Sequence, residues 1–412
     1  MKTIYETRIG DNRFNTSYPL SPGDWKTYET HGELPFAGNE VCFYIHIPFC
    51  KRLCSFCEYT RMQVPDEKAQ LQYIDTLSSD IDRFLDGHPH VVVHGFDIGG
   101  GTPTSLTDKA FERLLSVFKR TVAKVSLADD FEPSIEATTG TLSPEKLAMI
   151  SDSGIRRLSM GLQTTDSGLL RSVNRENEGV NVIANALSTI SKVNLDLMYG
   201  LLGQNTEMVK RDIEAISRIR PQQVTLYEYR TNQLRDNRQL GANLRYDIYC
   251  LFFDALTHMG YHARFGQNTF SLDATDFGVS SYLRNRMLNG MPYKGFGLSA
   301  QSMSEKGLSY NIGKNSSRLE PLLNADTYVN QSYYKLPPTE VLNKFICISA
   351  YSGGFSISRA SEILGTDFQK RYSETIDFLL ENGLIFIDGD RIQTTREGFR
   401  NYGAVFSMFT TK

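Results

Sequence analysis

Six short apolar runs, each followed by a stretch of helical period, organise roughly the first 240 residues. The runs are VCFYIHI (41–47), VVVHGFDI (91–98), SIEAT (134–138), RRLSMGL (156–162), NLDLMYG (194–200) and QVTLYEY (223–229). Their length and their β-branched and aromatic content predict strands. Between them, apolar positions recur at three- and four-residue steps in 66–85, 107–124 and 143–154, with similar patterns in 177–192 and 206–219, the period of helices packed on one face. Asp66 and Thr107 open the first two helices, Ser143 precedes Pro144 at the third, and Gly154 stands where the third would stop. Six such alternations predict an α/β fold of parallel strands and crossover helices. Closed or partly closed, that is a (β/α)6 barrel of the TIM type, with its chemistry at the C-terminal ends of the strands.

Outside this block the pattern changes. Residues 1–40 read as an irregular N-terminal arm before the barrel (41–240). A stretch at 241–336, opening on a helix at 244–261, reads as a barrel extension, and Pro337 with Pro338 mark the start of a tail at 337–412. The tail reads as three helices and then GLIFIDGDRIQTT, a hairpin turning at DGD, the make-up of a mostly helical, winged-helix-like domain. It carries no basic stripe, so packing on the barrel is expected rather than nucleic-acid binding. The net charge of −3 adds no basic field. No apolar run is long enough to span a bilayer, and the N-terminus lacks a signal-type apolar core. A cytoplasmic monomer without a membrane partner is the expectation.

Candidate chemistry lies on the expected rim. FCKRLCSFCEY (49–59), directly after the first strand, sets Cys50, Cys54 and Cys57 in a C-x3-C-x2-C spacing, and GGGTPTS (99–105) follows the second strand. Six cysteines in 412 residues form no disulfide framework, and Cys42, Cys250 and Cys347 sit among apolar residues as small core side chains. A zinc knuckle completed by His46 or His94 is the bland alternative. However, structural zinc sites favour two separated ligand pairs, whereas clustered thiolates suit an iron–sulfur cube. A cube on three thiolates leaves one iron open.

C-x3-C-x2-C after a first strand, Phe56 before the third cysteine and the glycine loop after the second strand resemble the radical S-adenosylmethionine (SAM) superfamily. FYIHIPFC, GGGTPTSL, MGLQTTDSGLLRSVNRENE, LDLMYGL, GFGLSAQSM and the tail resemble its HemN-like branch, typified by oxygen-independent coproporphyrinogen III oxidase. The resemblance implies a [4Fe-4S] cluster on Cys50, Cys54 and Cys57. SAM would complete the fourth iron, and an electron would come from a flavodoxin or ferredoxin. It also implies that Gly100, Gly101 and Thr102 meet the cofactor's methionine part and that Tyr44 leans over the cluster. Phe56 would stand beside the cofactor, and Glu136 would pair with the cofactor's cationic groups. Gln163 and Arg175 would hold its polar edges, and Asp196 its ribose. Tyr44 is equally readable as a half-buried strand tyrosine, and Gln163 and Arg175 as rim surface residues.

Two departures matter. Tyr59 stands where the oxidases have a fourth cysteine. GLSYNIGKNSS lacks the histidine and tryptophan of the related haem chaperones, and Trp25 is the only tryptophan. Several relatives without the fourth cysteine bind two SAM molecules, and by resemblance the second would lie near the glycine loop, Arg230 and Gln301. The resemblance therefore implies a methyl or other one-carbon transfer to an sp2 carbon of a small, flat aromatic or tetrapyrrole acceptor. Porphyrinogen decarboxylation and haem carriage are the alternatives.

Overall fold

The six strands pair in parallel in chain order: Glu40–Ile47, Val92–Gly100, Ser126–Thr138, Arg157–Gln163, Lys192–Tyr199 and Gln223–Glu228. The computed structural model describes residues 1–9, 18, 22–176, 181–229, 240–314 and 316–410. The connecting helices begin where the sequence places their caps. Asp66, Thr107 and Ser143 accept from the backbone N–H groups of Ala69, Ala110 and Lys146, and Asn205 does the same for the helix Thr206–Ile219. Of the helix expected at 177–192, the structure shows Asn181–Thr189; positions 177–180 lie outside the described residues.

The sheet does not stop at six strands. Tyr293–Phe296 joins parallel to the first strand. Beyond it Gln301–Ser304, Gly307–Tyr310, Ser332–Tyr334 and Glu29–His31 follow antiparallel, and Thr269–Ser271 covers the edge of the sixth strand. The curved sheet is thus a partial barrel, as expected, with a longer margin than the repeat pattern shows. The expectation of an irregular arm at 1–40 is corrected. Within it lie the helix Lys2–Arg8, a 3₁₀ turn at Pro22–Tyr28 and the edge strand Glu29–His31. Trp25 is buried and, with Tyr18, donates to Glu340 at 3.1 and 2.6 Å. These partners lie more than 300 residues away, so no local pattern announces them.

The tail forms its own apolar core around Leu342, Phe355, Phe368, Leu379, Ile392 and Phe409. Its hairpin, Ile385–Asp388 with Arg391–Thr394, turns at Gly389 and Asp390 as expected. The structure adds a third strand, Gly354–Ser356, and two closing helices, Arg396–Arg400 and Tyr402–Ser407.

Parallel strands covered on both faces are usually apolar on both; these are not. Val41, Phe43, Ile45 and Ile47 pack under the helices, while Cys42 and Tyr44 turn to the lumen beside Tyr282 and Tyr293. The same alternation sets Asp97, Glu136, Ser159, Asp196 and Thr225 on the inner face. The helix Ser281–Asn289 enters from the N-terminal end, where Ser281 bonds the backbone of Glu132 and Arg284 pairs with Asp130 at 2.6 Å. Gly95 makes this possible, because a Cβ there would overlap the Tyr282 backbone nitrogen.

Gly95→Ala should therefore lower stability by about 1–3 kcal/mol, the usual cost of overpacking a filled site. Gly87→Ala, with open space around it, should stay within about 0.5 kcal/mol of the parent. Urea unfolding midpoints check both.

Candidate active site

The cysteine loop is fastened to the glycine loop by backbone. The N–H groups of Gly101 and Thr102 donate to the carbonyls of Ile47 and Phe49 at 2.7 and 2.8 Å. Arg61 holds the loop from the other side, donating to the carbonyls of Cys57 and Cys54 at 2.8 and 2.6 Å. Cys50 and Cys54 are buried and Cys57 is half-buried. Thr102 Oγ1 lies 3.9 Å from Cys50 Sγ, and Arg175 Nη1 lies 3.9 Å from Cys54 Sγ. Burial pushes the Cys50 thiol up to about 11 and raises that of Cys57. Thiols so disfavoured as anions become thiolates when a metal takes them, so the donor set fits a metal cluster. Among the described residues no three ligating side chains converge on a single-ion site; a cube distributes its thiolates over separate irons.

Neither histidine considered for zinc serves as one. His46 has its ring nitrogens against the Tyr44 hydroxyl (3.4 Å) and the Thr60 carbonyl (2.8 Å), and burial lowers its pKa to about 4, leaving it neutral. His94 sits early in the second strand, between Glu40 and Asp130. Of the scattered cysteines, Cys42 and Cys347 are core residues as expected, whereas Cys250 is only half-buried.

Glu136, on the third strand, accepts from the Gly100 N–H at 3.0 Å. Burial raises its pKa to about 7, with the neighbouring carboxyls of Asp196 and Asp97 adding to the rise. Asp196 accepts from Ser159 at 3.1 Å and from Asn194 at 2.7 Å, and Asn194 accepts from Thr225 at 2.9 Å. Burial lifts Asp196 to about 6 although Arg157 opposes it. Asp97 is lifted to about 7 by burial; Ser280 donates to one oxygen and the other is buried without a partner among the described residues. Three carboxyls thus share one lumen, each raised by burial although Arg157 opposes the rise.

The remaining expected residues fall as follows. Gly100, Gly101 and Thr102 form the rim turn, with Gly100 at φ +115°. Gln163 is buried at a left-handed φ of 67°, a strained position for a non-glycine residue of the kind that collects at functional sites. Arg175 bonds the Gly161 carbonyl, so neither is a free surface residue. Phe56 packs with Leu169, Val173 and Met198. Tyr44 stacks on Tyr282 at 5.6 Å. The amide of Gln301 is held between two tyrosines, accepting from Tyr293 and donating to Tyr310 at 2.7 Å. Arg230 lies outside the described residues. Asp97, Arg157, Asn194 and Arg286 were missed. The signal for the first three was polar residues at alternate positions of strands that a buried parallel sheet would keep apolar; Arg286 left none.

The Radical SAM superfamily model matches residues 44–216. The chain is 27% identical to a protein named heme chaperone HemW from Lactococcus lactis, over 89% of this chain and 96% of that one. It is also 27% identical to an anaerobic coproporphyrinogen III oxidase from Cereibacter sphaeroides, over 74% and 73%. Its fold matches the coproporphyrinogen III oxidase HemN of Escherichia coli with a TM-score of 0.74 at 22% identity, covering 90% of each chain. No described helix is long and apolar enough to cross a membrane.

Two outcomes follow. Cys50→Ala, Cys54→Ala and Cys57→Ala should each abolish the brown chromophore of the anaerobically reconstituted protein, while Ala at Cys42, Cys250 or Cys347 spares it; absorbance and iron content decide. Asp97 has a pKa above its unfolded value of about 3.8, so ionising it disfavours the fold. The cluster-free chain should lose stability as pH rises from about 4 to 7, and Asp97→Asn should flatten that slope in urea titrations.

Proposed function

We propose that this chain, a radical SAM protein of the HemN-like branch, is an enzyme that acts on a tetrapyrrole-type acceptor held in its barrel lumen. Cys50, Cys54 and Cys57 would hold a [4Fe-4S] cluster, with SAM beside Gly100, Gly101, Thr102 and Glu136. When bound, that pair supplies reductive cleavage of SAM to methionine and a deoxyadenosyl radical able to abstract hydrogen, given an electron from a flavodoxin or ferredoxin. The protein's own residues bind and orient. Glu136, fixed on the Gly100 amide, presents a carboxyl that a cationic group would drive to its ionised form. Asp196, set by Ser159 and Asn194, offers acceptors to hydroxyls. Arg175, close to Cys54, adds positive charge beside the thiolates.

One observation carries the reading. Two buried carboxyls, Glu136 and Asp196, face the same lumen beside the glycine loop to which the cysteine loop is fastened, and burial raises both although Arg157 opposes the rise. The acceptor class is supported by the names of the relatives, which concern haem and coproporphyrinogen. One-carbon transfer, expected from Tyr59 and the retained loop, gains no support from those names, and the number of SAM molecules is left at one or more. A second reading, haem binding without turnover, is favoured by the near full-length match to a haem chaperone.

With dithionite and SAM, the reconstituted protein should release 5′-deoxyadenosine. Glu136→Gln and Asp196→Asn should each slow release at least about tenfold, the scale of one lost charged contact, with cluster absorbance retained. Haem that binds stoichiometrically to a protein releasing no deoxyadenosine would instead favour the second reading.

A further inference from the structure

Arg286 lies on the helix that enters the barrel, and no part of the proposed cofactor assignment uses it. Its guanidinium sits 3.9 Å from the centroid of Tyr293 and 4.9 Å from that of Tyr282, and it donates from Nη1 to the Tyr282 hydroxyl at 2.8 Å. Its Nε is buried and without a partner, and among the described residues Arg286 forms no ion pair. Two aromatic faces hold the plane of the fork, and the tyrosines are themselves fixed. Tyr44 stacks behind Tyr282, and Tyr293 donates to Gln301, which donates to Tyr310. Lys314 lies 5.2 Å over the Tyr310 ring. A second cation therefore stands along the same wall.

The Nε atoms of Arg61, Arg175, Arg359 and Arg391 are also buried without a partner, but each of those arginines reaches a backbone carbonyl, whereas Arg286 meets only a tyrosine hydroxyl and rings among the described residues. Arg157 bonds Gln223 and Ser134, and Arg245 bonds Glu228. A desolvated guanidinium with an unused donor, which Asp97 reaches only through space and without an ion pair, is a costly arrangement unless a bonding anion arrives. The planar fork matches a carboxylate, and its aromatic flanks match a flat body carrying one. The site is continuous with the rim, because Tyr44 is paired with Asp97 in the sheet and the inner face runs on to Gly99, packed against Glu136.

We propose that Arg286, clamped between Tyr282 and Tyr293, is an anion-binding residue that receives a carboxylate on an aromatic molecule entering the lumen. This rests on the lumen being the reaction chamber and names the group by which its occupant is anchored. The same carboxylate chemistry is present in the methionine part of SAM, so the test separates the two sources.

The probe is benzene-1,3,5-tricarboxylate, titrated calorimetrically into the cluster-reconstituted full chain, with its trimethyl ester as the uncharged control. The parent should bind the acid saturably and not the ester. Arg286→Gln should weaken binding at least tenfold, and Arg286→Lys, which keeps charge but not the fork, by a smaller factor. If Arg286→Gln melts early, the Lys variant decides, with a threefold loss as its threshold. A probe that SAM displaces, together with a tenfold weaker SAM affinity in Arg286→Gln, assigns the carboxylate to the cofactor; loss of probe affinity alone assigns it to the acceptor. No saturable binding to the parent, or equal affinity in parent and variants, overturns the proposal. Deoxyadenosine release by the parent, assayed in the same preparation, reports separately on the proposed function.

Discussion

Three successive glycines hold the rim together. A Cβ on Gly99 would stand 2.6 Å from the Glu136 carboxyl, one on Gly100 would overlap the His46 ring, and one on Gly101 would stand 2.7 Å from the Phe49 carbonyl. Side chains are excluded at all three, and backbone takes their place. The amides of this turn reach Ile47 and Phe49 on the cysteine side and Glu136 on the next strand. The thiols and the carboxyl are therefore spaced by main-chain hydrogen bonds rather than by flexible side chains, the kind of support that a site needing sub-ångström placement requires.

The lumen below is built against the ordinary economy of a parallel sheet. Each strand keeps one apolar face for its helix and turns a polar one inward. The polar groups are mostly hydrogen-bonded to one another: Thr225 to Asn194, Asn194 and Ser159 to Asp196, and Arg157 to Gln223 and Ser134. What this network does not supply is balance of charge. Asp97, Glu136 and Asp196 are all raised, while Arg286 has no ion pair among the described residues. The imbalance is spatial: carboxyls line the strands with Arg157 among them, while Arg286 stands on the entering helix and Lys314 on the stretch after it. A molecule with a cationic end and an anionic end would find both needs met by a chamber of this polarity.

Much of this was legible in the sequence because it is local. Caps such as Asp66, Thr107 and Ser143 act within three residues, strand alternation acts within two, and the three cysteines share one loop. Other features failed to announce themselves because their partners are remote. Glu29–His31 becomes a strand only by pairing with Ser332–Tyr334, and the first eight residues of Ser126–Thr138 include Asp129, Asp130 and Pro133, which read as loop until the neighbouring strand supplies their register. Gln163 and Arg175 look like rim surface until Gly161 lets both side chains close over it. Arg286 sits in a helix whose sequence, SYLRNRMLN, carries several polar residues and no hint of which one enters the barrel.

The division of labour between the two halves follows from these placements. The named relatives carry different activities, yet the family match is confined to 44–216, the part that holds the rim. Rim chemistry alone therefore cannot separate one relative's task from another's. The groups facing it from the second half are of another kind: tyrosines at 282, 293 and 310, Arg286, and from the tail Tyr351, whose ring lies 6.4 Å from Tyr227 of the sixth strand. Lys344, also from the tail, donates to the Tyr18 carbonyl and is held down to about 7 by burial, with Arg286 adding to the shift. On the proposed reading, an acceptor would be selected by residues that follow the barrel in sequence and close on it in space, while the barrel would present the same reactive end to every candidate. Substitutions that retune the acceptor should therefore accumulate after residue 280, and those that abolish the chemistry before residue 200.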